Sequence, residues 1–395
     1  MTTAIADVKA GEDSPHGLPE PGELSAATRL IVGGSALADI ALRTYAATLV
    51  SATATIPYGI GRALTKTAHI ERDNVRFYRQ LAQRADPATT FPRPTENVTV
   101  TATRSHSRFQ PRDGRVEIIR FRSPYRPANP AMRQQWACLT RNNHAVAQYW
   151  HHADRPRPTV AIIHGFMASM YHLNSAFFAV PWLYQHGYDV LLFTMPFHGR
   201  RQEWFSPFSG HGFFHHGIGG ICEAMSQAVH DFRLFVDYLI DRGVDKIGVT
   251  GISLGGYTCA LLAAVDDRLA FAVPNVPLAD MSDVIDRWPP AGQAMDLMLR
   301  LGDIPRTDVG TALASHSPLT YRPILPKDRL FIITGLGDRL APPDHAQRLW
   351  EHWDRPTLHW FPGNHIMHVN RAAYLKRMRR FMRATGFSAG TERSR

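Results

Sequence analysis

Cysteine is scarce in this chain. Three thiols, Cys138, Cys222 and Cys259, are spread over 395 residues with no C-x-x-C spacing. That argues against a disulfide framework and for a reducing compartment. Lysine is scarcer than arginine, contributing five of the 44 basic residues, and the arginines are scattered along the chain. A formal charge of +10 therefore comes without a basic stripe that could track a phosphate backbone, and no nucleic-acid partner is expected. The first 27 residues lack the basic start and apolar run of a secretory signal, so a cytoplasmic location is the expectation. Internal repeats and low-complexity tracts are missing as well.

What is present is globular in character. Hydrophobic residues make up 44% and charged residues 20%, enough for a sizeable core in one large α/β domain with appendages. Residues 1–24 read as a disordered leader, and residues 25–96 as a helical extension built from "LSAATRLIVGGSALADIALRTYAATLV" and the more polar "ERDNVRFYRQLAQRA". Between Arg43 and Arg62 lie 18 uncharged residues, but they are rich in Thr and Ser and interrupted by Pro57. A helical pair packing on the main domain, or making peripheral membrane contact through residues 25–70, is expected rather than a spanning helix.

From residue 97 onward strand-like and helix-like stretches alternate. "TVAIIHG", "YDVLLFTMP", "KIGVTG", "LAFAVPNVP", "RLFIITG" and "TLHWFPG" are apolar, β-rich runs separated by amphipathic segments. Such alternation predicts a mostly parallel central sheet with helices on both faces, made mixed by antiparallel-looking strands at the front. One insert, residues 279–321, carries Trp288, Met295, Met298, Leu299 and Leu301 on a helix face and could roof a site or simply pack on its own domain.

"GVTGISLGGYT" (248–258) passes from strand to helix through a single hydroxyl. A turn this tight tolerates no side chain beside it, which accounts for Gly251 and Gly255, and it presents Ser253 at a helix N-terminus. A serine needs a base, and the base needs an acid to orient it. Strand "RLFIITG" empties into Asp338 and strand "TLHWFPG" into His365, so nucleophile, acid and base follow one another at strand ends. His368 is the rival base and Asp280 the fallback acid.

"HGF" (164–166), "GISLGG" (251–256), "GLGDRLAP" (335–342) and "GNH" (363–365) resemble, in order and placement, the α/β-hydrolase superfamily over residues 110–385. "PFHGRR" (196–201) is similar to the loop after that family's fourth core strand, and the whole is most similar to a little-characterised single-domain subgroup. The resemblance implies an α/β-hydrolase fold; the lid insert and, outside the resemblance, the helical N-terminal extension are expected from the residues themselves. For the Ser253–His365–Asp338 triad the resemblance implies an oxyanion hole from the backbone N–H groups of Leu254 and Phe166, and the lack of a nucleotide-binding motif leaves no cofactor expected. The expected partner is a small-molecule acyl substrate, an ester or thioester. Acyl transfer, peptide cleavage and a non-catalytic binding scaffold are the alternatives.

The remaining candidates have bland readings. His164 reads as a structural strand-end residue. "GHGFFHHG" (210–217) and the His151–His152 pair lack the helix-borne H-E-x-x-H pattern, so no metal is expected and the former reads as a mobile substrate-facing loop. "GIGGIC" (217–222) has no preceding strand and fails as a dinucleotide fingerprint. Arg200 and Arg201 read as solvated surface arginines, as does the basic face of the closing helix around "YLKRMRRFMRATG".

Overall fold

The computed structural model describes residues 17–55, 62–105, 107 and 109–388. Most of the leader expected over residues 1–24 lies outside them, as do residues 56–61 of the uncharged stretch. Nine strands form one sheet: β1 (Thr101–Arg104), β2 (Gly114–Arg122), β3 (His144–His152), β4 (Thr159–Ile163), β5 (Asp189–Phe193), β6 (Ile247–Ile252), β7 (Leu269–Asn275), β8 (Phe331–Gly335) and β9 (Thr357–Phe361). Their order is β1-β2-β3-β5-β4-β6-β7-β8-β9. The β1–β2, β2–β3 and β3–β5 pairs are antiparallel and all later pairs are parallel.

The apolar runs of the central strands follow from burial on both faces. In β4, Ala161 and Ile163 enter one core cluster while Val160 and Ile162 enter the other. β5 divides the same way, with Leu191 and Phe193 against Val190 and Leu192, as the two-residue pleat requires.

Helices cover both cores. α1 (Ala26–Thr55) and α2 (Arg62–Gln83) form the N-terminal extension, and α3 (Gly217–Asp241) and α4 (Leu254–Val265) flank the sheet. α5 (Met281–Arg287), α6 (Ala291–Gly302) and α7 (Arg306–Leu313) make up the insert, followed by α8 (Pro343–His352) and α9 (Arg371–Ala384). α2 is fastened to α3 by Glu223, a buried carboxylate that accepts from the hydroxyls of Tyr78 and Tyr125 and from the Asn129 N–H at 2.9 Å. α1 packs on α6 and on a short helix, His211–His215. It is long and apolar enough to cross a membrane, yet its inner face, including Ala36, Asp39 and Ala47, is buried against the domain. Its outer face leaves Leu30, Leu37 and Tyr45 exposed.

Arg201 corrects the surface reading made from sequence. Its side chain is fully buried, Nη2 lies 2.7 Å from Asp231 Oδ2, and Nε and Nη2 donate to the Asn142 carbonyl at 2.9 and 2.7 Å. Two hydrogen bonds to one carbonyl and a paired carboxylate offset its desolvation, which sequence spacing could not reveal. Arg200 alone is exposed. Removing one partner of a buried pair strands the other charge, so Arg201→Ala should cost about 3–5 kcal/mol in urea unfolding. A variant as stable as the parent would contradict this role.

Candidate active site

β6 ends at Ile252 and α4 begins at Leu254, leaving Ser253 as the helix N-cap with φ 58° and ψ −118°. This strained left-handed backbone throws the side chain clear of strand and helix. The flanking glycines are sterically required. A Cβ on Gly251 would sit 2.2 Å from the Gly255 carbonyl oxygen, and one on Gly255 would sit 2.2 Å from the Ile163 carbonyl oxygen. The Ser253 N–H donates to the Asn275 carbonyl at 3.0 Å, tying the elbow to β7.

Asp338 and His365 lie just beyond β8 and β9, and both are buried. Asp338 Oδ1 accepts from the N–H groups of Leu340 (2.9 Å) and Ala341 (2.8 Å), which leaves Oδ2 to meet His365 Nδ1 at 2.7 Å. With a carboxylate opposite Nδ1, that nitrogen carries the proton and Nε2 keeps its lone pair. Burial opposes a charge on His365, but the charge and hydrogen bond of Asp338, aided by Asp39, outweigh it and hold the imidazole above its ordinary pKa. Among the described residues Ser253 Oγ makes no hydrogen bond to either histidine. Such contacts commonly tighten only when substrate is bound.

The two rivals are occupied elsewhere. His368 Nδ1 accepts from the Tyr374 hydroxyl at 2.9 Å and Nε2 faces the His365 carbonyl at 3.2 Å, while burial pulls its pKa down to about 3. Asp280 caps α5 through Ser282 N–H (3.0 Å) and pairs with Arg348 (2.8 Å). Both ring nitrogens of His368 and both carboxylate oxygens of Asp280 thus have partners of their own.

Leu254 is the first residue of α4, so its N–H has no partner within the helix. Phe166 follows Gly165, whose own Cβ would lie 3.3 Å from Ser253 Cβ, so this turn abuts the serine. Among the described residues neither N–H is taken up by another backbone carbonyl. His164 bridges the adjoining strand ends: Nδ1 donates to the Gly165 carbonyl at 2.8 Å and Nε2 accepts from the Met195 N–H at 3.1 Å. Burial lowers its pKa to about 4, which keeps it neutral and structural.

Ser253, Leu254 and Phe166 stand on the wall of an apolar cavity of about 150 Å³. The insert supplies Trp288, Met295, Met298 and Leu299, whereas Leu301 turns outward and is 38% exposed. α1 adds Ala47 and Val50, and α2 adds Glu71 and Val75. The stretch expected to be a mobile substrate-facing loop forms a short helix, His211–His215, with His211, Gly212 and Phe213 buried, while Phe214 lines the cavity beside Ser253. Phe197 packs against Gly212, where a Cβ would come within 2.3 Å, which explains the glycine without a hinge.

Asp283, Asp344 and His345 bring ligand atoms within 4.8 Å of one another. Arg287 already pairs with Asp283 (3.0 Å) and Asp344 (2.9 Å), and His345 Nδ1 accepts from the Ala279 N–H at 3.1 Å. This chemistry suits an ion-pair clasp between α5 and α8 better than a cation site.

Asp39 has no motif to mark it in the sequence, yet its carboxylate accepts from the His365 N–H. It is the sole acidic residue between Glu23 and Glu71, and a lone carboxylate in so apolar a helix signals a partner.

A serine elbow at the carboxyl end of a central parallel strand, with a paired acid and base beyond the last two strands, β8 and β9, defines the α/β-hydrolase fold, and the chain has it. The model of the prolyl oligopeptidase family matches residues 220–383, a span that contains Ser253, Asp338 and His365. Acetyl xylan esterase 1 from Thermoanaerobacterium sp. JW/SL YS485 is similar in structure, with TM-score 0.55 and 17% identity over 78% of this chain and 93% of that one. An acetyl xylan esterase from Paenibacillus sp. R4 gives TM-score 0.53 and 15% identity over 78% and 94%. In sequence, an uncharacterized protein of Mycobacterium tuberculosis strain H37Rv is 31% identical over 245 residues, covering 60% of this chain and 56% of that protein. The chain thus matches little more than half the length of that relative. The solved structures show the fold, and the family match spans all three residues of the site.

Proposed function

We propose that the protein is a serine hydrolase that cleaves an ester or thioester bearing an apolar acyl chain, through an acyl-enzyme on Ser253. The observation that carries this reading is the 2.7 Å Asp338–His365 contact at the strand ends that follow the Ser253 elbow. His365 Nε2 takes the Ser253 hydroxyl proton as Oγ bonds to the carbonyl carbon, and the resulting oxyanion meets the N–H groups of Leu254 and Phe166. The tetrahedral adduct collapses by breaking the bond to the alcohol or thiol, which leaves with the proton from His365. Water, deprotonated by the same nitrogen, then releases the acid and frees the serine.

The acyl class follows from the cavity. An apolar void of similar size accepts benzene, so 150 Å³ accommodates an acyl group of several carbons. Each buried methylene contributes about 0.8 kcal/mol, or roughly fourfold in kcat/KM. In a series of p-nitrophenyl acyl esters, kcat/KM should climb by about that factor per carbon and then level off. Met298→Trp, which fills the lid side, should move the plateau to shorter chains. A flat series, or one that Met298→Trp leaves unchanged, would contradict the assignment of this cavity to the acyl group.

The family match favours a second reading, peptide cleavage by the same three residues. Prolyl p-nitroanilides assayed beside the esters separate the two. Absence of Ser253-dependent turnover on both would point to a binding scaffold.

A further inference from the structure

α1 lies across the two loops that carry the acid and the base, and touches them at four points. The Ser35 carbonyl accepts from Asn364 Nδ2 at 2.7 Å, and Arg43 Nη1 donates to the Arg339 carbonyl at 3.3 Å. Gly337 is pressed so close that a Cβ there would come within 2.7 Å of Ser35 Oγ and 2.9 Å of the Val32 carbonyl oxygen. Between these contacts sits Asp39, 1% exposed, whose Oδ2 accepts two backbone N–H groups at 3.0 Å each, one from Arg339 and one from His365. Arg339 directly follows Asp338. A single carboxylate oxygen from the N-terminal extension therefore joins the acid-bearing segment to the base itself.

We propose that Asp39 is a positioning residue for the triad, a clasp that fixes the Asp338 loop and the His365 loop to each other and so sets the angle at which the imidazole faces Ser253. The inference rests on the triad reading above. Two buried N–H groups from different loops need an acceptor, and a charged one binds them more tightly than a neutral carbonyl would. Nothing in the catalytic chemistry requires a carboxylate at this place, yet its siting disfavours the charge: burial pushes the Asp39 carboxyl upward, against the two N–H groups. A small misplacement of a catalytic group costs rate out of proportion to the distance, which is how a contact outside the reacting atoms comes to matter.

Among the described residues the charges that act on Asp39 are Asp338, which raises its pKa, and His365, which lowers it, and Arg43 stands one turn along α1. Asp39 adds to the field that favours the His365 imidazolium. The sign is fixed: removing its negative charge lowers the His365 pKa, so the base stays deprotonated to lower pH.

The test is the rate of inactivation by a fluorophosphonate ester against pH, on the full chain, for the parent, Ser253→Ala, Asp39→Ala and Asp39→Asn, with thermal unfolding alongside. Asp39→Ala should react about 10- to 100-fold more slowly across the range. Asp39→Asn keeps an oxygen for both N–H groups; it should approach parental rates at high pH, with its acid limb moved down by on the order of half a unit. Parental reactivity in Asp39→Ala overturns the proposal. So does an unmoved acid limb in Asp39→Asn, the result a merely structural contact would give. If Asp39→Ala does not fold, the Asp39→Asn limb decides alone. Ser253→Ala separates the two levels of inference. Continued modification of that variant removes the triad reading and the clasp with it, whereas a silent Ser253→Ala beside parental Asp39 variants removes the clasp only.

Discussion

Ser253→Ala is expected to lower ester turnover by a factor of about 10⁴–10⁶ while leaving the protein folded. The size of the loss follows from the role proposed for the hydroxyl. Without it there is no covalent intermediate, and His365 can at best activate water from a position set for another atom. The remainder, about 10³–10⁴ over water, should come from substrate binding and the N–H groups of Leu254 and Phe166, which the substitution does not touch. Stability should hold because the backbone N–H and carbonyl of Ser253, bonded to Asn275 at 3.0 Å and Tyr257 at 2.9 Å, anchor the elbow. Steady-state kinetics paired with a melting curve checks both halves. Unchanged turnover in a folded variant would remove Ser253 from the chemistry.

Asp338→Asn is expected to cost about 10⁴ in kcat for a reason the local hydrogen bonds make specific. Oδ1 is held by two backbone donors, Leu340 and Ala341. An asparagine must place its carbonyl oxygen there, which turns its NH₂ toward His365 Nδ1. That nitrogen must then accept, so the ring's proton moves to Nε2 and the lone pair needed for Ser253 is gone. Asp280→Asn makes the contrast, since its carboxylate caps α5 and pairs with Arg348. It should lose at most about 1 kcal/mol of stability and little activity. The reverse ranking in kcat would transfer the acid role to Asp280.

Those two carboxylates mark how far the sequence could be read. Strand ends are legible because apolar β-rich runs stop sharply, and residues just past them, Asp338 and His365, inherit a predictable place on the sheet. The elbow is legible because only glycine fits at 251 and 255. Proximity to the strand end favours His365 over His368, and the ring of His368 is engaged with Tyr374 and the His365 carbonyl.

What escaped were contacts between residues some 300 positions apart. α1 docks through small residues, Ala36, Ala46 and Ala47, with one carboxylate, so its inner face carries no bulky apolar stripe to announce it. The large side chains sit outside instead, with Leu30 and Leu37 exposed, which is why the helix reads as equally suited to protein or lipid. Arg201 was misread for a related reason. Nothing beside it in sequence hints at Asp231 or at the Asn142 carbonyl that together make its burial tolerable. The glycines of the His211–His215 segment suggest a loop, but Gly212 serves close packing against Phe197.

The covalent intermediate is the core of the account, and it can be weighed. Acid-quenching the protein during turnover of a slowly deacylating acyl ester and mapping the peptides by mass should place one acyl group on Ser253, missing when His365 is replaced by alanine. Product formation by the parent protein with no acyl mass on Ser253, or with that mass on another residue, would contradict it.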